Sequence, residues 1–147
     1  MFSAKHLYFS LFLPVSNDLA SIDMDRRQIG VIGESAAARF LSEKLGMSVI
    51  SRNYRSKYGE IDLIAIENDE TLVFVEVKTS SGSPNAGFLP EDRISPKKLM
   101  RMKRMCTLFS AKHFQKTGKT YEQRIDLIAV NILWNKKYAI RHYKNIY

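Results

Sequence analysis

The amino-acid sequence predicts a single α/β domain. Two amphipathic helical segments alternate with short apolar runs of the kind found in buried strands. The length of 147 residues suits one domain with a substantial core. Hydrophobic residues make up 45% of the chain and charged residues 26%, which is typical of a globular protein and not of a disordered one. One core is therefore expected to carry one functional site.

The N-terminal segment differs from the rest of the chain, so we predict an extension over residues 1–24 and a domain over residues 25–147. Residues 1–15 are apolar and aromatic-rich, which faintly resembles a signal peptide, but Pro14 interrupts the run and no clean cleavage site follows. The preferred alternatives are a disordered extension or a true start at Met24. No run reaches the roughly 18 to 20 apolar residues of a membrane span.

The single cysteine, Cys106, excludes an internal disulfide and a zinc site built from cysteines. A reducing, cytoplasmic location is therefore expected.

The first amphipathic helix is predicted to begin at Asp25 and to end at Gly46. Apolar residues recur along it at spacings of three to five, including Ile29, Ala36 and Phe40. Glu34 lies on this helix.

Three strands are predicted to follow, over residues 49–54, 60–66 and 71–78. The second is apolar apart from Asp62, as expected of a strand that is covered on both faces. The third is rich in β-branched and aromatic residues, and a short polar connection joins the two into a hairpin. Residues 79–93 contain two glycines and two prolines and are predicted to form the longest loop.

The second helix is predicted from Ser95, as N-cap, to about Gln115, with Pro96 in its first position and Gly118 beyond its end. Two further strands follow, over residues 123–133 and 138–146. The pentapeptide Ile-Asp-Leu-Ile-Ala occurs at residues 61–65 and again at 125–129. Because the flanking residues differ, we interpret the repeat as two central strands and not as a duplicated unit.

The formal net charge of +8 indicates an anionic partner, such as nucleic acid, an acidic membrane or a phosphorylated ligand. Residues 96–120 contain eight Lys or Arg residues and no Asp or Glu, so the excess is concentrated on the second helix. A charged helix face is often simply solvated, but the absence of acids favours phosphate binding. The candidate nucleic-acid-binding residues are Lys97, Lys98, Arg101, Arg104, Arg52 and Arg55.

Three charged residues in the apolar strands form the candidate site. Glu76 and Lys78 project to the same face of one strand, because side chains alternate along a strand, and the neighbouring strand carries Asp62. Buried charges are costly unless they are paired or bind a metal. One interpretation is a Mg²⁺ site for phosphodiester hydrolysis, in which Lys78 orients water or neutralises developing charge. The other is a salt bridge with no catalytic role.

The motifs Gly33-Glu34, residues 59–65 and residues 74–78 occur in an order that resembles the YraN-like family of small bacterial proteins. That family is similar in its core to the restriction-endonuclease-like, or PD-(D/E)XK, superfamily, which includes Holliday junction resolvases. The resemblance implies a three-layer α/β/α core with a mixed sheet. It also implies that Asp62 and Glu76 bind Mg²⁺ or Mn²⁺, that Lys78 is catalytic, and that Glu34 completes the site.

The expected function is DNA binding, with Mg²⁺-dependent cleavage of structured or branched DNA by an endodeoxyribonuclease, and with a homodimer as the expected assembly. A non-catalytic module that binds nucleic acid or protein through a degenerate nuclease fold is the alternative, and a protein-interaction scaffold is a third class. Glu34 has a second interpretation, as a carboxylate that the helix dipole favours. We expect a structural role for Asp126.

Overall fold

The computed structural model describes residues 6–9, 25–81, 94–133 and 137–147. The chain forms, in order, β1 (His6–Phe9), α1 (Arg26–Arg39), a π-helical segment (Phe40–Lys44), β2 (Ser48–Ser56), β3 (Gly59–Glu67), β4 (Thr71–Ser81), α2 (Pro96–Thr117), β5 (Glu122–Ile132) and β6 (Tyr138–Tyr143).

The strands form one six-stranded sheet in the order β1-β6-β5-β4-β3-β2. Only the central pair of strands, β4 and β5, is parallel, and every other neighbouring pair is antiparallel. Parallel neighbours cannot be joined by a tight turn, and the connection from β4 to β5 includes α2. The sheet is therefore mixed, as predicted.

The two helices cover opposite faces of the sheet. On one face, Ala37 and Phe40 pack in a buried cluster with Val75 and other residues of the central strands. On the other face, Met102 and Met105 of α2 pack in a second cluster with Phe74. The resulting three-layer α/β/α architecture confirms the predicted fold class.

Local sequence signals account for the helix ends. The Asp25 carboxylate accepts a hydrogen bond from the Gln28 N–H, and the Gln28 side chain accepts one from the Asp25 N–H, which makes a reciprocal cap. The Ser95 hydroxyl caps the N-terminus of α2 by accepting one hydrogen bond, from the Lys98 N–H. Gly118 ends α2 with φ 69°, a left-handed conformation that favours glycine.

Several boundaries differ from the prediction: β6 ends at Tyr143 and not at residue 146, and β2 is longer, over Ser48–Ser56. The first helix closes with the π-helical segment and not with regular α-helix. β4 continues to Ser81, into the predicted loop, because residues 79–81 extend the parallel pairing with β5. The rest of that loop, residues 82–93, lies outside the described residues.

Four residues of the predicted N-terminal extension are described, and they form β1, which pairs with β6 at the edge of the sheet. The other residues of the extension, 1–5 and 10–24, lie outside the described ranges. Among the helices that the structure describes, none combines the length and the apolar character needed to cross a membrane.

Candidate metal centre

Asp62 lies where β3 separates from β4. The pairing of the two strands runs from Leu63 to Glu67 on β3 and ends before Asp62. The Asp62 carboxylate instead accepts a hydrogen bond from the backbone N–H of Val77, at 2.7 Å. The side chain therefore replaces a strand-to-strand bond and is held beside Glu76.

Glu76 is the buried acid of the centre, with a relative exposure of 2%. Lys78 Nζ donates to its Oε1 at 2.7 Å, which confirms that Glu76 and Lys78 share one face of β4. Lys98 Nζ, from the first turn of α2, lies 3.0 Å from Oε2. This second contact is an ion pair without hydrogen-bond geometry, so Oε2 receives no hydrogen bond from the described residues.

The electrostatics of the centre are most evident at Asp62. Burial, followed by the nearby Glu76 carboxylate, raises the pKa of Asp62 to about 7. Glu34 adds a smaller increase, whereas the Val77 N–H and the Lys98 ammonium act in the opposite direction. Both Glu76 and Glu34 therefore act on the pKa of Asp62.

Gly33 allows α1 to pack closely against β4, and Glu34 is the next residue along α1. A Cβ atom at Gly33 would lie 1.8 Å from Thr79 Oγ1 and 2.7 Å from Thr79 Cβ, so α1 touches β4 at a position that admits only glycine. Thr79 directly follows Lys78 in β4. The Gly33-Glu34 motif thus combines a contact point with a carboxylate next to it.

Asp62 and Glu76 fit a hard divalent cation. Their carboxylate oxygens are the ligands that Mg²⁺ and Mn²⁺ prefer, and Glu76 Oε2 is buried without a hydrogen bond. Two ammonium groups already approach Glu76, which indicates that this position attracts positive charge. Over the ranges that the structure describes, no three His, Cys, Asp or Glu side chains form a group that could hold a metal ion.

The predicted phosphate-binding residues occupy different environments. Lys97, Arg101 and Arg104 are exposed on α2, and Arg52 is exposed on β2. Lys98 belongs to the candidate centre through its contact with Glu76. Arg55 is exposed and pairs with Glu60 at 2.8 Å.

Asp126 lies in a second, separate cluster of charges. It is fully buried, and it accepts hydrogen bonds from the Arg124 guanidinium, the His142 ring and the Asn145 N–H. Arg124 also pairs with Glu67, which in turn binds Lys144. These contacts fit the structural role expected for Asp126.

Sequence reasoning did not identify Lys98 as part of the centre or His142 as part of the Asp126 cluster. Both residues reach their partners through contacts between two elements, which the periodicity within a single element does not predict. A weak signal for Lys98 was available, because it stands in the first turn of a helix that follows the Glu76 strand.

Solved structures with a partial likeness include Pyrococcus furiosus SfsA in complex with Ca²⁺, at 14% identity and a TM-score of 0.37, over 90% of this chain and 74% of that chain. A repair endonuclease from Pyrococcus abyssi matches at 13% identity and a TM-score of 0.31, over 79% of this chain and 42% of that one.

Similar sequences cover nearly all of the domain. A UPF0102 protein of Alkaliphilus oremlandii is 38% identical over 122 residues, which make up 82% of this chain and 98% of the relative. One of Mycobacterium avium is 36% identical over 124 residues, which make up 84% and 92%. The model of the uncharacterised protein family UPF0102 matches residues 33–130, a range that holds Glu34, Asp62, Glu76 and Lys78. The family prediction is thus confirmed, and the chain belongs to UPF0102.

Proposed function

We propose that this protein is a nuclease that acts on DNA with the help of a divalent metal ion. The observation that carries the proposal is the buried Glu76, which two lysines approach beside Asp62, at the point where β3 and β4 separate. Where the pairing ends, the Asp62 carboxylate is free to accept the Val77 N–H, which places it beside Glu76. The buried carboxylate can bind a metal cation, and the lysines around it can bind the anionic phosphate of the substrate.

In this proposal Asp62 and Glu76 hold Mg²⁺, and Glu34 supports them from α1. When bound, the metal would polarise a phosphate and lower the pKa of the attacking water. The Lys78 ammonium, held 2.7 Å from Glu76 Oε1, neutralises the charge that develops on the phosphate oxygens. The Val77 N–H fixes the orientation of the Asp62 carboxylate.

A basic surface lies next to the centre and gives DNA a place to bind. The Arg104 guanidinium lies 5.8 Å from the centre of the Tyr58 ring, and Lys57 Nζ lies 5.2 Å from the same ring. The turn between β2 and β3 is therefore beside α2, which also exposes Lys97 and Arg101. These cations would neutralise phosphates, and the end of α2 that carries Lys97 leads to the metal centre.

The test is Mg²⁺-dependent cleavage of duplex, single-stranded, flap and four-way-junction DNA by the full chain and by Glu76→Gln. We expect cleavage of at least one substrate by the wild type and a loss of about a hundredfold or more in Glu76→Gln, because a metal ligand is removed. Glu122→Gln is the matched control, since Glu122 is exposed and lies at the start of β5.

Equal cleavage by wild type and Glu76→Gln would assign the activity to a contaminant and remove the support for the proposed chemistry. Circular dichroism of each variant separates a loss of fold from a loss of catalysis.

A non-catalytic DNA-binding module is the second candidate. It is favoured by one observation: Lys78 and Lys98 already balance the charge of Glu76 without a metal. The two candidates differ in calorimetric titration with Mg²⁺ or Mn²⁺. Metal binding that Glu76→Gln abolishes supports the nuclease, whereas the absence of such binding, together with intact DNA affinity, supports the module.

A further inference from the structure

Lys98 contacts Glu76 in a way that leaves it able to move. Its ammonium is 3.0 Å from Glu76 Oε2, but the pair lacks hydrogen-bond geometry, in contrast to the Lys78 contact with Oε1. The Lys98 and Lys78 side chains have similar relative exposures, 32% and 29%, so the difference between them lies in the contact geometry. Lys98 is thus the more loosely held of the two cations around a buried acid.

A divalent cation at Glu76 would take the place of the Lys98 ammonium. Lys78 already occupies Oε1, so Oε2 is the oxygen that remains for another ligand. Two cations on one oxygen would repel each other strongly at such short range in a partly buried site. Metal and Lys98 are therefore expected to exclude each other at Oε2.

A displaced Lys98 would enter the basic surface. It stands between Lys97 and Arg101 in the first turns of α2, and both of these residues are exposed. A lysine side chain is long and flexible, and its ammonium can bind a phosphate oxygen as well as a carboxylate. The same residue can thus pair with Glu76 in one state and with DNA in the other.

We propose that Lys98 is an exchangeable counter-ion, which occupies Glu76 Oε2 until a divalent metal displaces it, and which then binds a phosphate of the DNA. This inference rests on the proposed function, because it requires a metal at Glu76. It makes Lys98 a positioning residue that couples metal binding to DNA binding.

The first measurement is calorimetric titration of the full chain with Ca²⁺, which takes oxygen ligands. Lys98→Met keeps much of the stem and removes the competing charge, so its Ca²⁺ affinity should exceed that of the wild type by about tenfold, the equivalent of a modest ion pair. Lys97→Met, the exposed neighbour, should leave Ca²⁺ affinity unchanged. Lys98→Gln provides a second variant if Lys98→Met does not fold.

The second measurement is the affinity for a duplex oligonucleotide with and without Ca²⁺. Lys98→Met should weaken binding by about threefold to tenfold in Ca²⁺ and have little effect without it, because Lys98 contacts phosphate only after displacement. Lys97→Met should weaken binding by a similar factor under both conditions.

Equal Ca²⁺ affinity in Lys98→Met and Lys97→Met would overturn the inference, and so would equal losses of DNA affinity with and without Ca²⁺. Cleavage that depends on Glu76, combined with either result, would leave the proposed function standing alone. If Lys98→Met binds Ca²⁺ more tightly but the wild type cleaves no DNA, the exchange is supported and the proposed nuclease function is contradicted. Absence of Ca²⁺ binding in all variants would overturn the inference, whereas the Mg²⁺-dependent cleavage assay decides the proposed function separately.

Discussion

At the scale of single residues, the two aspartates in the repeated Ile-Asp-Leu-Ile-Ala segments have opposite electrostatic surroundings. Asp62 is partly buried beside another acid, and its pKa is raised to about 7. Burial also raises the pKa of Asp126, but hydrogen bonds from His142, Arg124 and the Asn145 N–H outweigh it, so the net shift is downward. Asp62 lies beside a second acid, whereas Asp126 already has the Arg124 guanidinium and two further hydrogen-bond donors.

The opposite shifts predict opposite effects of replacing each aspartate with asparagine. A raised pKa means that the folded protein binds the proton more tightly than the unfolded chain, so Asp62 lowers stability as the pH rises from about 4 to about 7. Asp62→Asn should therefore raise the free energy of unfolding at pH 8 by an amount on the order of 2–4 kcal/mol, and by little at pH 4. The Asn side chain can still accept the Val77 hydrogen bond.

Asp126→Asn is the matched counterpart and should lower the free energy of unfolding at neutral pH by roughly 3–5 kcal/mol, because it leaves a buried network short of its charge. Its lowered pKa gives stability that is present above the ordinary range of an aspartate pKa and is lost as the pH falls through the folded-state value. Urea unfolding of both variants between about pH 2 and pH 8 measures these effects, because the loss at Asp126 occurs below the ordinary aspartate pKa of about 4. A lower free energy of unfolding at pH 8 in Asp62→Asn would contradict the destabilisation attributed to the raised pKa of Asp62.

At the scale of elements, local signals were sufficient for the helices and strands but not for their contacts. The caps at Asp25 and Ser95 and the glycine at 118 act on neighbouring residues, so the helix boundaries could be predicted from the sequence. The end of β4 could not, because residues 79–81 are held in the strand by pairing with β5, some fifty residues further along.

The candidate site divides in the same way. The alternation of side chains in a strand was enough to place Glu76 and Lys78 together, since both belong to one element. The approach of Lys98 depends on how α2 returns over the sheet, which no local pattern encodes. The position of Glu34 depends on how closely α1 approaches β4.

The contact between α1 and β4 gives a prediction for the two glycines of α1. Gly33→Ala should lower the free energy of unfolding by about 1–3 kcal/mol, because the new methyl group collides with Thr79 and must push α1 away from the sheet. Gly30→Ala is the matched control: apart from its chain neighbours and its own helix backbone, no atom of the described residues lies within 4 Å of a Cβ there. In a helix interior it should stabilise the protein by roughly 0.5–1 kcal/mol.

Urea unfolding of both variants provides the comparison. Equal and stabilising effects at the two positions would show that α1 is not pressed against Thr79, and the account of how Glu34 reaches Asp62 would fail. A displaced α1 should also weaken the influence of Glu34 on Asp62, so the pKa of Asp62, followed by NMR, should fall in Gly33→Ala.

At the scale of the whole molecule, the net charge follows from the sequence, but the sequence does not show which basic side chains can contact a partner. The chain has 23 basic and 15 acidic residues. Several of the basic ones are engaged internally, namely Lys78, Lys98, Arg124 and Lys144. The basic residues that remain exposed on α2 lie on the face of the sheet opposite α1, so α2 presents a positively charged surface on one side of the molecule.

This directed charge predicts how DNA affinity depends on salt. Because bound phosphates release counterions, the logarithm of affinity for a duplex should fall linearly with the logarithm of salt concentration, and each lost phosphate contact should reduce the slope by about 1. Arg101→Gln should weaken binding and flatten the slope by that amount. Lys44→Gln removes the same charge at an exposed residue of the π-helical segment, on the other side of the sheet, and should change neither the affinity nor the slope.

Fluorescence anisotropy between about 50 and 200 mM salt, without divalent metal, measures both slopes. An affinity indifferent to salt would favour the protein-interaction scaffold, whereas equal effects of the two variants would mean that the charge acts through its total and not through the surface on α2.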